Sequence, residues 1–158
     1  MRRLALAALT ITMALVGGVF VAAPAHAIQK ASYSLSYCHD GTFKGTGKNE
    51  LSNGTLSFGW CAKNGGATTI TVKYSKHSGS DVRIRLGYEW VNSNGGAAAG
   101  RHWDQSSGST VTAKAGETWS ARFQRNPPQQ PPSSLSKCLR GLMLVDGTTV
   151  YSTYVVCP

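Results

Sequence analysis

The sequence has few acidic residues and no close pair of carboxylates. It contains seven Asp and Glu against 16 Lys and Arg, which gives a net charge of +9 with histidine neutral. Glycoside hydrolysis usually needs two carboxylates that flank the scissile bond, so the scarcity of acids argues against that reaction. No serine lies in a G-x-S-x-G motif, the nucleophile turn of α/β-hydrolases. The composition therefore favours a non-enzymatic protein, although His102 and Asp104, two residues apart, leave an acid–base pair open.

Helix-type periodicity is also missing after residue 27, where no stretch keeps an apolar face at 3.6-residue spacing. Apolar and polar residues alternate instead, as expected of strands that bury one face. The alternating stretches are Tyr33–Tyr37, Leu56–Trp60, Ile70–Tyr74, Val82–Tyr88 and Trp119–Phe123. They predict an all-β fold with almost no helix. We expect a single antiparallel two-sheet β-sandwich over 28–158, with a small barrel as the alternative.

Turn residues predict how these strands connect. Asn53-Gly54 is typical of a type I′ hairpin, because both residues tolerate positive φ. The short segment 77–81 is expected to join its two flanking strands as neighbours in one sheet. Segments 92–100 and 125–136 are expected to be loops, the second because its prolines cannot donate to a sheet ladder.

The first 27 residues match a cleaved secretory signal peptide. Arg2 and Arg3 precede an apolar run, and Ala25-His26-Ala27 is an A-x-A cleavage site, so the mature chain is expected to begin at Ile28. Since only those two arginines are removed, 14 basic residues remain, and the mature net charge is about +7. No second apolar run follows, and we expect a secreted, extracellular protein without a membrane span.

Four cysteines lie in the predicted mature chain: Cys38, Cys61, Cys138 and Cys157. An even number in an exported chain predicts two disulfides, and the lack of a C-x-x-C pair gives no indication of zinc. A two-residue turn at Gly147-Thr148 would place Asp146 opposite Thr149. The same register places Cys138 opposite Cys157, at a separation that suits a disulfide. Elimination then pairs Cys38 with Cys61.

Two groups of residues are candidates for ligand binding. In the first, Arg101-His102-Trp103-Asp104, a tryptophan lies among polar residues beside a Gly-rich loop, and Trp90 ends the preceding predicted strand. Such a tryptophan can stack on a sugar ring while its neighbours bond the hydroxyls. The alternative is a tryptophan that closes one end of the fold.

The second group is a basic stripe. Pairing of the strands on either side of 77–81 would place Lys73, Arg83 and Arg85 on one solvent-facing surface. A teichoic-acid-like polymer, an acidic glycan or another anionic partner would suit this surface, and a merely solvated face is the simpler alternative. No aromatic residue alternates with these charges, so nothing indicates nucleic-acid stacking.

These features predict a non-catalytic binding module for a saccharide or an anionic cell-envelope polymer, without a cofactor. The alternative is a secreted inhibitor that presents the Pro-rich 125–136 loop to an extracellular enzyme, since a rigid loop loses little freedom on docking.

A further alternative depends on a second A-x-A site, Ala23-Pro24-Ala25, whose cleavage would make His26 the N-terminal residue. An N-terminal histidine that acts with a second histidine resembles the copper brace of polysaccharide monooxygenases. That resemblance implies a copper site at His26, with His39, His77 or His102 as its partner. Cleavage after Ala27 removes this possibility.

Overall fold

The computed structural model describes residues 28–104 and 110–158, in which nine strands form two antiparallel sheets. The strands are β1 (Thr42–Leu51), β2 (Gly54–Lys63), β3 (Gly66–Lys76), β4 (Val82–Val91), β5 (Ala98–Trp103), β6 (Val111–Ala113), β7 (Thr118–Gln129), β8 (Cys138–Val145) and β9 (Thr149–Ser152). The first sheet has the order β1-β2-β3-β7, and the second has the order β5-β4-β8-β9, with β6 also paired to β4. Within the two described ranges there is no helix, and the prediction of an all-β fold with two antiparallel sheets is confirmed. It follows that no helix in this part of the chain could cross a membrane.

The apolar faces of both sheets contribute to one buried cluster. Trp60 of the first sheet meets Trp90 of the second edge to face, with ring centroids 6.0 Å apart. The sheets approach closely at Gly141 on β8, where an added Cβ would lie 2.7 Å from the Cβ of Phe58. The predicted buried face of β2 is confirmed, since Leu56, Phe58 and Trp60 are at most 1% exposed.

The predicted pairing of β3 with β4 is wrong. β3 pairs with β2 and β7, whereas β4 pairs with β5, β6 and β8 in the other sheet. The end of β3 is already bonded within the first sheet. The N–H of Lys76 donates to Glu117, and the N–H of His77 donates to the carbonyl of Asn53. Residues 77–81 therefore cross between the sheets and do not close a hairpin.

The predicted β1–β2 hairpin forms, but its two-residue loop is Ser52-Asn53 rather than Asn53-Gly54. Leu51 pairs with Gly54, and neither residue of the predicted turn has a positive φ. Position 54 has no room for a side chain, because an added Cβ would lie 2.4 Å from the carbonyl oxygen of Ser75. Glycine is needed here for the close approach of β3 and not for turn geometry.

The β8–β9 turn differs from its prediction by one residue. Val145 pairs with Thr149, so the loop contains residues 146–148. Asp146 and Gly147 both have positive φ, 48° and 76°, which accounts for an Asp-Gly pair at this position. The predicted two-residue turn at Gly147-Thr148 is therefore wrong.

The predicted disulfide pairing is nevertheless confirmed. Leu142 pairs with Ser152, but Leu139 pairs with Val156, so the segment after β9 contains one residue more than the β8 segment that it faces. This extra residue cancels the register shift that the three-residue turn causes. Cys138 therefore meets Cys157, with Cα atoms 4.2 Å apart. Cys38 is bonded to Cys61, with Cα atoms 5.7 Å apart.

β7 continues into the segment that was predicted to be a Pro-rich loop. Thr69 pairs with Gln124 and Ala67 pairs with Gln129, so residues 125–128 bulge out between two paired positions. β7 is the last strand in its sheet order, where prolines are tolerated because no further strand needs their donors. The loop prediction is therefore wrong for 125–129. The predicted 92–100 loop is also too long, because β5 begins at Ala98.

The segment before β1 crosses the outer face of the first sheet and is not the strand predicted at Tyr33–Tyr37. The rings of Tyr33 and Tyr37 lie on the Arg122 guanidinium, whose carbon is 4.4 Å and 4.2 Å from their centroids. Stacking on one cation accounts for aromatic residues at this spacing without a strand. At the start of the segment, Gln29 exchanges two backbone hydrogen bonds with Ser120 of β7.

We predict that replacing Cys38 and Cys61 with alanine lowers the free energy of unfolding by about 3 kcal/mol, because the unfolded chain gains freedom. The cross-link spans 23 residues, and urea unfolding measures the loss. The matched variant at Cys138 and Cys157, a span of 19 residues, should lose a similar amount. Unchanged stability in both variants would contradict the prediction.

Candidate functional site

The predicted saccharide-binding residues do not converge on one site. Neighbouring residues of a strand face opposite sides of its sheet, so the consecutive candidates on β5 lie alternately on its two faces. Arg101 lies on the outer side of the second sheet, with its Nε 3.3 Å from the carboxylate of the buried Glu89. His102 lies on the inner side and stacks on Tyr88, with ring centroids 4.8 Å apart. The two side chains therefore lie on opposite faces of the second sheet and not on the one surface that the sequence suggested.

The two candidate tryptophans are used by the fold. Trp90 is 1% exposed within the core, so a ligand cannot reach it. Trp103 covers the backbone of β4, since a Cβ added at Gly87 would lie 2.6 Å from its ring. The guanidinium carbon of Arg85 lies 5.6 Å from the Trp103 ring centroid on the same outer face. Trp103 is half-buried, and these contacts hold its ring against β4 and Arg85.

Asp104 is a buried carboxyl group, 3% exposed, at the end of β5. Both of its carboxylate oxygens are shielded from solvent. The Nε of Arg85 lies 3.9 Å from Oδ1. Burial raises the pKa of Asp104 to about 7, despite this cation. Its charge therefore changes near neutral pH.

The predicted basic stripe does not form, because its members lie on different sheets. Lys73 is on β3 of the first sheet, whereas Arg83 and Arg85 are on β4 of the second. Arg83 donates two hydrogen bonds to the hydroxyl of Thr110, at 3.2 Å and 3.0 Å. Arg85 is 8% exposed and offers little surface to a partner.

A different basic site lies at the end of the fold that carries the β2–β3 turn. It is a cleft of about 430 Å³, which we call the lysine cleft, and its lining residues are Gly41, Thr42, Lys44, Trp60, Ala62, Lys63, Asn64, Gly65, Lys137 and Pro158. Lys44 lies at a bulge in β1, Lys63 ends β2, and Lys137 immediately precedes β8. Three separate chain segments thus bring their lysines to one opening.

The two disulfides flank the lysine cleft. One of them joins Cys38, in the segment before β1, to Cys61 near the end of β2. The other joins the two residues that adjoin Lys137 and Pro158, namely Cys138 and Cys157. Each cross-link therefore restrains backbone that is next to the lining residues, which keeps the lysines close together without a ligand.

The lysine cleft carries more positive than negative charge. The Nζ of Lys63 lies 2.8 Å from the Asp40 carboxylate, and this hydrogen bond lowers the pKa of Asp40. Within the described ranges, no carboxylate side chain forms an ion pair with Lys44 or Lys137. The Lys137 ammonium lies against the β2–β3 turn, where a Cβ on Gly65 would be 3.0 Å from Nζ. Two cations are thus available to an anionic ligand.

Trp60 provides a natural reporter of this cleft. Its side chain is 1% exposed and lines the cleft. Its indole Nε1 is buried without an acceptor among the described residues. A ligand that enters the lysine cleft would change the surroundings of this ring, and therefore its fluorescence and its indole N–H resonance.

The sequence prediction missed all three lysines of the cleft, because they are far apart in the chain. One signal could have found two of them. Lys63 follows Cys61 by two residues, and Lys137 immediately precedes Cys138. Basic residues next to cysteines of different disulfides come together when the two bridges lie at the same end of a fold.

The described residues contain no group of three His, Cys, Asp or Glu side chains that could hold a metal ion. His26, on which the copper alternative depends, lies outside the described residues. The other three histidines do not supply such a group among themselves. The structure therefore adds nothing in favour of the copper alternative.

Comparison with known proteins does not assign the chain to a family. No protein-family model matches it, and no match is found among curated proteins or solved structures. The candidate site therefore rests on the geometry and charge of its own residues.

We predict that Asp104→Asn removes a pH-dependent loss of stability. The pKa of Asp104 is raised from 3.8 to about 7 in the folded protein, so this carboxyl group loses its proton at lower pH in the unfolded state than in the folded state. The free energy of unfolding therefore falls as pH rises between these two values. The steepest slope from one such group is about 1.4 kcal/mol per pH unit.

Urea unfolding of the native protein, Asp104→Asn and the exposed control Asp81→Asn between pH 4.5 and 8 measures this effect. The free energy of unfolding of Asp104→Asn should rise relative to the native protein as pH increases, and that of the control should not. A constant difference between Asp104→Asn and the native protein across the range would show that the pKa of Asp104 is not raised.

Proposed function

We propose that the two sheets form a β-sandwich that is exported, released from residues 1–27, and acts outside the cell as a non-catalytic binding module. The proposed ligand is an anionic cell-envelope polymer, and the proposed site is the lysine cleft. Two disulfides support an extracytoplasmic location, because such bonds persist mainly in oxidising compartments.

One observation carries the proposed function: three lysines surround one cleft, and two of them lack a carboxylate partner among the described residues. Lysine ammonium groups act as point charges and bind phosphate without a demanding geometry. Anionic groups repeated along a polymer can engage several such charges together. The flanking disulfides lower the cost of ordering the cleft on binding, which favours affinity.

Three features of the site favour binding over catalysis. Among the described residues, no carboxylate pairs with the Lys44 or Lys137 ammonium groups to act as a proton acceptor, and the carboxylate of Asp40 is held by Lys63. A cleft open to water also lacks the desolvated surroundings in which charges contribute most to catalysis. The arrangement can attract and hold an anion, which is what a binding module requires.

The inhibitor alternative has less support. Residues 125–128 form a bulge of β7 that is paired on both sides, so a loop free of the sheet would be limited to 130–136. Within that range Leu135 packs against the core cluster, and its N–H donates to the carbonyl of Pro132. A segment anchored in this way presents less free backbone to an enzyme than the sequence suggested.

We predict that the secreted protein begins at Ile28. This residue is 7% exposed and belongs to the core cluster, and Gln29 is bonded to β7, so the fold uses the residues directly after the proposed cleavage point. Mass spectrometry of the protein from the culture medium reads the N-terminus directly. A start at His26 would instead support the copper alternative, and retention of residues 1–27 would contradict export by cleavage.

We predict that the double variant Lys44→Gln/Lys137→Gln binds poly(glycerol phosphate) and purified cell walls about 5- to 30-fold more weakly, since two partly exposed ion pairs contribute roughly 0.5–1 kcal/mol each. The control Lys73→Gln/Lys114→Gln removes the same charge elsewhere and should retain most binding. Fluorescence titration at low salt gives the dissociation constants, and added salt should weaken native binding by screening.

Equal weakening in both double variants would mean that overall charge attracts the polymer and that the cleft is not its site. No binding of the native protein to either material would contradict the proposed function itself.

A further inference from the structure

A second opening lies beside the bulged end of β7, next to β5. It is an open groove of about 520 Å³, and its lining residues are His102, Gln124, Arg125, Asn126, Pro127, Pro128 and Gln129. It shares no lining residue with the lysine cleft. We call it the Arg125 groove.

Arg125 is held in place by Tyr88 and, within 28–104 and 110–158, has no acidic partner. Its Nε–H donates to the hydroxyl of the buried Tyr88 at 3.0 Å. Its guanidinium carbon lies 5.7 Å from the Tyr88 ring centroid and 6.0 Å from that of Phe123. Among the described residues, no carboxylate pairs with Arg125, and its two terminal nitrogens make no hydrogen bond. A fixed guanidinium thus keeps its terminal N–H groups for a ligand.

The Arg125 bond determines the direction of a chain of hydrogen bonds along the groove. Because arginine can only donate, the Tyr88 oxygen accepts from it, and the Tyr88 hydroxyl donates to Oε1 of Gln129. The Gln129 amide nitrogen then donates to Nε2 of His102, 2.8 Å away. This assignment leaves the proton of a neutral His102 on Nδ1. Burial lowers the pKa of His102, and the charge of Arg125 lowers it further, which favours the neutral ring.

We propose that the Arg125 groove binds a carboxylate-bearing saccharide, with Arg125 receiving the carboxylate. The terminal edge of a guanidinium presents two parallel N–H groups that match the two oxygens of a carboxylate. The amides of Gln124 and Asn126 line the same groove and can bond sugar hydroxyls as donors and acceptors. The rings of Pro127 and Pro128 add apolar surface for the C–H face of a sugar.

A single fixed guanidinium distinguishes this groove from the lysine cleft. One planar cation surrounded by amides suits one carboxylate on a hydroxyl-rich molecule. Several flexible ammonium groups suit densely charged phosphate. The proposal does not depend on the proposed function of the lysine cleft.

Isothermal titration with digalacturonate, and with digalactose as its neutral counterpart, tests the groove in the purified protein. We expect saturable binding of digalacturonate, and binding at least tenfold weaker for digalactose. Arg125→Lys keeps the charge but loses the parallel N–H groups, and should bind digalacturonate at least tenfold more weakly than the native protein.

Arg122→Lys is the matched control. It lies on the same strand, and its guanidinium is stacked on Tyr33 and Tyr37, away from the groove lining. This variant should keep native affinity for digalacturonate. Thermal unfolding checks that both arginine variants fold.

If Arg125→Lys fails to fold, Asn126→Ala at an exposed lining position tests the same groove. Its affinity for digalacturonate should fall three- to tenfold, roughly the contribution of one hydrogen bond.

His102 supplies a second readout that a structural role of Arg125 would not produce. A bound carboxylate offsets the Arg125 charge, so digalacturonate should raise the pKa of His102 in an NMR titration. Absence of digalacturonate binding, or equal weakening in Arg125→Lys and Arg122→Lys, would overturn the proposal. The Lys44→Gln/Lys137→Gln protein should still bind digalacturonate, so failure of the phosphate experiment and failure of this one are distinguishable.

Discussion

The two disulfides hold four chain segments together at one end of the molecule, and both candidate sites lie at that end. Cys38–Cys61 fixes the segment before β1 against β2, and Cys138–Cys157 fixes the chain end against β8. Without these links the lining segments of the lysine cleft would depend on turns and on backbone pairing at strand ends, where sheets are weakest. The cleft is therefore preorganised by covalent bonds, and its like charges can be held close together in the absence of a ligand.

The strand arrangement explains why the sites share an end. β2 and β3 are joined there by the 64–65 turn, and Gln129 at the end of β7 pairs with Ala67 just beyond it. An added Cβ on Gly66 would lie 2.5 Å from the side chain of Gln130, so this turn lies between the two openings. Rigid strands place side chains more accurately than free loops do, and here bulges in β1 and β7 place Lys44 and Arg125.

Much of the fold could be predicted from the sequence, because alternation and cysteine number depend on local chemistry. The buried face of β2 and the disulfide pairing are examples, although the Cys138–Cys157 prediction used a turn register that is wrong by one residue. The partner of β4 could not be predicted, since a short connection between strands fits a hairpin and a crossing equally well. No residue that lines the lysine cleft was among the predicted site residues. Of the residues that line the Arg125 groove, His102 was predicted for a different surface and 125–129 were predicted as part of an exposed loop. The lysines of the cleft come together only through long-range pairing.

Mapping of the poly(glycerol phosphate) contact surface by NMR shows whether the polymer binds in the lysine cleft. In a titration of the isotope-labelled protein, we expect the largest shifts on the backbone amides of Thr42, Asn64 and Gly65 and on the indole N–H of Trp60. Shifts concentrated at the opposite end, in the 114–117 and 146–148 turns, or spread evenly over the basic surface, would contradict it.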